Sequence, residues 1–297
     1  MRRTYDCNGD YGGTMNFLSL CSGIGGIDIA AEWAGMTIVG QVEIDEYCSR
    51  VLEKHWPHVT RKRDIKDAHG KDFGHVDIIA GGIPCQGNSV LGGRKGMEDD
   101  RYLWPQMLRL VEETRSPWLL LENVAGILSV NDGALFGKVL QDLAERGYSC
   151  AWLVHTARAV GAPHTRKRVF LIGRKDVGNS SSTRCGNELY GSHSSTDTSA
   201  AVSRQAEPSV ARSIDGVSRR LDETRWPARR GEPQYNWEPP RVSYGRKPYD
   251  YERRKALGNA VVPLQVYPIL RKIYLIHTAG NRLPLETADM YNEPAYD

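Results

Sequence analysis

Several features are missing from this 297-residue chain, and each absence removes a class of protein. No stretch approaches the ~18 uninterrupted apolar residues of a membrane span. The first residues, MRRTYDCNGDYGGT, carry two arginines but lack the apolar run of a secretory signal. The six cysteines (Cys7, Cys21, Cys48, Cys85, Cys150, Cys185) form no C-x-x-C pair and have no clustered histidines. That excludes a zinc ribbon and a secreted disulfide scaffold, and no metal is expected. The thiols are expected to be reduced, as in cytoplasm. No internal repeat is visible, so a solenoid is excluded. Net charge is also slight: 39 Lys+Arg against 36 Asp+Glu leave +3, too little on its own to demand a polyanion partner.

What remains is 40% hydrophobic and 25% charged, enough apolar residue for a large core without staples. From Met15 to about Arg174, short apolar runs alternate with amphipathic stretches. Strands are predicted at Asn16–Leu20, Thr37–Glu43, Val76–Ala80, Trp118–Leu121, Cys150–Thr156 and Val169–Ile172. Helices are predicted at Ile27–Ala34, Asp45–His55, Arg101–Thr114 and Ala134–Arg146. This alternation predicts an α/β fold with a doubly wound, mostly parallel sheet and ligands at the carboxyl ends of its strands. From Gly178 to Ser213 the pattern collapses into a segment with ten serines and no apolar periodicity. Residues 219–255 then bring prolines, aromatics and arginines, before Ala260–Ile276 becomes apolar and periodic again.

Five parts follow: an extension over 1–14, a main domain over 15–177, a small irregular region over 178–252, a C-terminal helix within 253–276 packing back on the main domain, and a tail over 277–297. Charge follows these divisions. Arg174–Lys255 holds 16 basic and 11 acidic residues, a surplus of five, which leaves −2 for the rest.

Three constellations carry chemistry. Ser22-Gly23-Ile24-Gly25-Gly26 lies between the first strand and first helix, where glycines let a ligand approach the backbone. Glu43-x-Asp45 after the second strand offers a carboxylate to ribose hydroxyls, and Asp64 offers one to an adenine amino group. A nucleoside-bearing cofactor is indicated, with NAD and S-adenosylmethionine both open, since the third glycine of G-x-G-x-x-G is absent. Next, Gly81-Gly82-Ile83-Pro84-Cys85-Gln86 ends a strand at the ligand edge of the sheet, which makes Cys85 the candidate nucleophile. Glu122-Asn123-Val124 supplies a carboxyl from the following strand. Finally, Arg166-x-Arg168 places both side chains on one face if the segment is extended.

Taken in order, these segments resemble the DNA (cytosine-5) methyltransferase family. LSLCSGIGGID resembles its S-adenosylmethionine loop, GGIPCQGNSVLGGRKGMEDDR its nucleophile loop, and ENV at 122–124 its acid motif. GAPHTRKRVFLIG (161–173) resembles its arginine motif and RRKALGNAVVPLQVYPIL (253–270) its closing motif. Cys21 stands where the family commonly has an aromatic residue, His164 replaces a common Gln, and the loop proline pair is Ile83-Pro84. The resemblance implies the class I, Rossmann-like methyltransferase fold with a small target-recognition lobe. It further implies S-adenosylmethionine as cofactor and methyl transfer to carbon 5 of a cytosine flipped out of duplex DNA.

Cys85, Glu122, Arg166 and Arg168 would be the catalytic set. Leu20, Cys21, Ser22, Gly23, Ile24, Gly25, Gly26, Glu43, Ile44, Asp64, Ile65, Gly81, Pro84, Asn259, Ala260 and Val261 would surround the cofactor. Gln86, Ser89, Arg94 and Lys95, on an expected lid over Gln86–Asp100, together with Arg219 and Arg220, would touch DNA. Asp215-Gly216-Val217 with Arg219, Arg220, Leu221 and Asp222 resembles the segment that organises the reading region, which would make Glu223–Glu252 an insertion. The expected partner is double-stranded DNA, with a cognate restriction endonuclease as a candidate, no membrane, and a monomer in the cytoplasm. The setting would be restriction-modification, a prophage or an orphan enzyme. A transfer-RNA cytosine-5 methyltransferase and a non-catalytic DNA-binding relative stand as alternatives. A nicotinamide dehydrogenase explains neither Pro84-Cys85-Gln86 nor the basic insertion.

Overall fold

The computed structural model describes residues 14–82, 103–175, 226–228, 231–238 and 248–279. Strands β1 (Asn16–Leu20), β2 (Thr37–Val42), β3 (Thr60–Lys62), β4 (Ile78–Gly82), β5 (Trp118–Val124), β6 (Tyr148–Thr156) and β7 (Lys167–Lys175) form one sheet in the order β3-β2-β1-β4-β5-β7-β6. The first five strands pair parallel, and β7 runs antiparallel between β5 and β6. Strand order reverses between β1 and β4, which opens a crevice at their carboxyl ends where doubly wound sheets bind ligands.

Helices cover both faces, so the strands read as continuous apolar runs whose alternate residues enter different cores. Leu18, Leu20, Ile79, Leu119, Leu121 and Leu171 pack with helices α3 (Trp104–Thr114) and α4 (Ala134–Ala144). Phe17, Ile78, Ala80, Leu120, Phe170 and Ile172 pack instead with α1 (Gly26–Ala34), Leu52 of α2 (Glu46–His55) and the C-terminal helix. Parity then carries polar residues with it. Glu122 follows Leu120 and Arg168 precedes Phe170 by two, so both belong to the face covered by α1 and the C-terminal helix.

The C-terminal segment departs from expectation. Instead of a single helix over Ala260–Ile276 there are two, α5 (Asp250–Asn259) and α6 (Pro263–Thr278). Pro263 at the start of α6 holds Val262 extended, at φ −77 and ψ 114, because a residue before proline is forced out of the helical region. In α5 the single buried residue is Ala256, so no apolar stripe marks it in the sequence. The short polar strand β3 was likewise not predicted. Strand β5 runs three residues past its expected end, through Glu122 to Val124. Among the described residues no helix is long and apolar enough to cross a membrane, and no group of side chains is suited to a metal ion.

Candidate active site

The turn after β1 is tight because the chain must reverse into α1 beneath a ligand crevice. Gly25 caps α1 at φ 83, a left-handed conformation that glycine takes without strain. At Gly26 a Cβ would sit 2.5 Å from the carbonyl oxygen of Val261. The link between α5 and α6, which holds Ala260 and Val261, is thus pressed against the glycine turn. Gly81, at the end of β4, backs onto the Leu20 carbonyl just as closely. The Cys21 thiol is pushed up to about 12, first by burial and then by the Glu43 and Asp64 carboxylates. It stays protonated at neutral pH and is no nucleophile.

Glu43 is the anchored carboxylate. Its Oε2 accepts from Gly23 N and its Oε1 from Asp45 N, each at 2.7 Å. Burial raises its pKa, while the two backbone N–H groups oppose that rise. Among the described residues, two of its roughly four lone-pair sites are therefore used, which leaves two to face a hydroxyl. Asp45, its sequence neighbour, is committed elsewhere: Oδ1 caps α2 at Cys48 N (3.1 Å) and Oδ2 pairs with Lys255 Nζ at 2.9 Å. The Lys255 hydrogen bond holds the Asp45 carboxyl below its usual range.

Beside Glu43, Ile44 is 64% exposed, an apolar side chain next to the anchored carboxylate. Its carbonyl accepts from Arg63 Nη2. Asp64 is half-buried, and its Oδ1 accepts from Lys66 N. The side chain of Ile65 belongs to the core, and its carbonyl takes Arg109 Nη2. A carboxylate with lone pairs unused among the described residues, an exposed apolar side chain and a close-packed glycine turn together fit a nucleoside: ribose on Glu43, with the base against Ile44.

The second half of the site lies across β4, β5 and β7. Glu122 is in register with Gly82 on one side and Phe170 on the other. Because Gly82 has no side chain, the Glu122 carboxylate has room beside β4; a Cβ there would lie 3.1 Å from Oε2. Arg168 Nε reaches Glu122 Oε1 at 2.6 Å, with side chains 14% and 11% exposed. Burial raises the Glu122 pKa against the pull of Arg168 and Arg166, and a carboxyl so placed can hold a proton closer to neutrality. Arg166 donates from Nη1 to the Gly258 carbonyl at 2.8 Å. Its Nε and Nη2 are buried and meet no acceptor among the described residues. These two donors form one planar edge, suited to an oxygen or a pair of acceptors.

Sequence reasoning brought Glu43, the glycine turn, Glu122, Arg166, Arg168 and the Asn259–Val261 link to this crevice. It did not single out Lys255, Gly258 or Gln265, which hold Asp45 and Arg166 from the C-terminal helices. Their partners lie 92–210 residues away, so no local pattern marks them. Cys85, Pro84, Gln86, Ser89, Arg94, Lys95, Arg219 and Arg220 lie outside the described residues. Of the basic insertion, Trp226 packs on Gly161, and Glu238 Oε1 accepts from Ala228 N and Tyr235 N.

Residues 15–228 match the family model of C-5 cytosine-specific DNA methylases, and the chain belongs to that family. Among its relatives, the type II methyltransferase M2.BsuMI of Bacillus subtilis is 35% identical over 163 residues, covering 53% of this chain and 41% of that one. The type II methyltransferase M.FnuDI of Fusobacterium nucleatum is 33% identical over 165 residues, 55% of this chain and 48% of its own. The chain therefore spans about half the length of the curated relatives it matches. A crystal structure described as a prophage-encoded DNA modification methyltransferase of E. coli aligns with 56% of this chain and 49% of its own at 28% identity and a TM-score of 0.47.

Proposed function

We propose that this protein transfers a methyl group from S-adenosylmethionine to carbon 5 of cytosine in duplex DNA. The observation that carries the reading is the buried Glu122–Arg168 pair at 2.6 Å, with the open edge of Arg166 beside it. A buried carboxyl whose pKa is raised by burial and two guanidinium groups match the N3, amino and O2 edge of cytosine. The target edge and ring face are closed off in a duplex, so the base must leave the stack to reach them.

When bound, S-adenosylmethionine supplies an electrophilic methyl group. Cys85, three residues past Gly82 in the chain, adds its thiolate to carbon 6 and directs electron density onto carbon 5. Glu122 holds a proton at N3 and Arg168 and Arg166 hold O2, so charge does not build up on the ring as the thiolate adds. After carbon 5 takes the methyl, its proton passes to solvent, the C5–H electron pair re-forms the C5–C6 double bond, and Cys85 leaves as thiolate. Cys21 and Cys48 cannot substitute for Cys85, because burial first and nearby carboxylates second push both thiols up to about 12. Glu43 and Ile44 would hold the nucleoside end of the cofactor, and the Asn259–Val261 link would close against it. Double-stranded DNA is the proposed partner, bound by a monomer. A restriction endonuclease that cuts the same sequence would make the pair a restriction-modification system.

Transfer of tritiated methyl from S-adenosylmethionine to duplex DNA and to transfer RNA, wild type against Cys85→Ser, tests this. The expected result is label in duplex DNA that disappears with Cys85→Ser, and a stable covalent complex with a 5-fluorocytosine duplex. Label in transfer RNA alone would overturn the substrate, and label that survives the substitution would overturn the mechanism.

A further inference from the structure

Helix α6 buries an amide among its apolar neighbours. Gln265 has no exposed surface and sits between Leu264 and Val266, both core residues. Its Nε2 donates to the carbonyls of His155 (3.0 Å) and Arg166 (3.1 Å). Both amide protons are used, and since a carbonyl cannot donate, the partners fix which end of the amide faces them. Its Oε1 is buried and finds no donor among the described residues, so packing alone would favour a methionine or leucine there. The main chain of Gln265 is engaged as well: its carbonyl lies 3.0 Å from His155 Nδ1, which must carry the proton of that bond.

These bonds meet where β6 and β7 join. The Arg166 carbonyl accepts from Ala157 N (2.8 Å) and from Gln265, which fills both its lone pairs. At the far end of the same residue, Nη1 is held by the Gly258 carbonyl. Arg166 is thus gripped at main chain and guanidinium by α6 and α5, while its Nε and Nη2 edge has no other use among the described residues.

We propose that Gln265 is a positioning residue that fixes Arg166 with its Nε–Nη2 edge turned to the extruded cytosine. The proposal rests on the reading of Arg166 as a base-contacting residue. Gln265→Met keeps the length of the side chain and removes both donors. It is combined with Arg166→Ala in a double-mutant cycle on the full chain, at a temperature well below every unfolding transition. Displacing an aligned group lowers rates by about 10- to 100-fold. Gln265→Met is therefore expected to reduce kcat/KM for DNA by that factor, leave the Kd for S-adenosylhomocysteine within about twofold, and add nothing in the Arg166→Ala background. If Gln265→Met does not fold, Gln265→Glu replaces it in the same cycle. There the protonated carboxyl restores one donor, so activity relative to wild type should rise as pH falls.

An unchanged kcat/KM, or a loss of equal size in both backgrounds, would overturn the positioning role alone. Full activity of Arg166→Ala would overturn the reading of Arg166 beneath it, and the proposal with it.

Discussion

Asp28 provides the sharpest test of the electrostatics under the glycine turn. It lies in the first turn of α1, with no exposed surface, and accepts from Ser19 Oγ (2.9 Å) and Gln41 Nε2 (2.8 Å). Burial dominates these two bonds and raises its pKa from 3.8 to about 6. The folded state therefore holds this proton more tightly than the unfolded state does. Stability from the group is present in full below pH 3.8 and declines as pH rises toward 6; above that the loss is constant. A shift of this size amounts to about 3 kcal/mol.

Asp28→Asn is nearly isosteric. Its amide oxygen still accepts from Gln41, and the Ser19 hydroxyl can turn to accept from the new NH2. Urea unfolding from pH 4 to 8 should show the variant gaining on wild type by an amount that grows from near zero to about 3 kcal/mol and levels off above pH 7. Taking the difference removes groups common to both proteins. A difference that does not vary with pH would refute the reasoning, whatever its size.

Four further outcomes follow from the site. Arg168→Met leaves the Glu122 carboxylate buried without its partner and should cost about 3–5 kcal/mol in denaturant unfolding; Glu122→Gln added to it should recover part of that loss. Glu43→Ala removes the acceptor for Gly23 N and Asp45 N together with that for ribose. Calorimetry should show the Kd for S-adenosylhomocysteine rising by about 10- to 100-fold, the loss of charged hydrogen bonds of about 1.5–3 kcal/mol. Gly26→Ala drives a methyl into the Val261 carbonyl and should lower stability by about 1–3 kcal/mol, seen as a reduced Tm with weaker cofactor binding. Cys21→Ser should retain methyl transfer at neutral pH, because its thiol is protonated there, and a loss as complete as that of Cys85→Ser would overturn the assignment of the nucleophile.

The strands were legible because both faces of the sheet are covered. Trp118–Leu121 is an unbroken apolar run for that reason, and the same run hid the strand's true end, since Glu122 is polar yet continues the ladder opposite Phe170. Arg166 and Arg168 were legible as a pair from alternation alone, and the parity of β7 keeps Arg168 on the Glu122 side. The pair Glu43-x-Asp45 left open which carboxylate would face a hydroxyl; position three before Cys48 N makes Asp45 the cap of α2, and Lys255 takes its other oxygen. Helix α5 left no trace in hydrophobic periodicity because it presents Ala256 alone to the core. Long-range grips such as Gln265 on Arg166 require the fold before they can be seen.

The closing helices explain how one crevice serves both halves of the chemistry. Val266, Tyr267, Ile269, Leu270, Ile273 and Ile276 of α6 are buried with Phe17, Ile78, Leu120 and Phe170, so the end of the described chain is part of the core that its beginning builds. From that fixed base the α5–α6 segment touches the glycine turn at Gly26, the start of α2 at Asp45 and Arg166 through Gly258 and Gln265. The chain leaves the sheet at the end of β7, where Lys175 N is held by the Pro117 carbonyl, and α5 meets the site again where Lys255 pairs with Asp45. Among the described residues, every bond that sets the Glu43 and Glu122–Arg168 geometry comes from outside the stretch between Lys175 and Asp250.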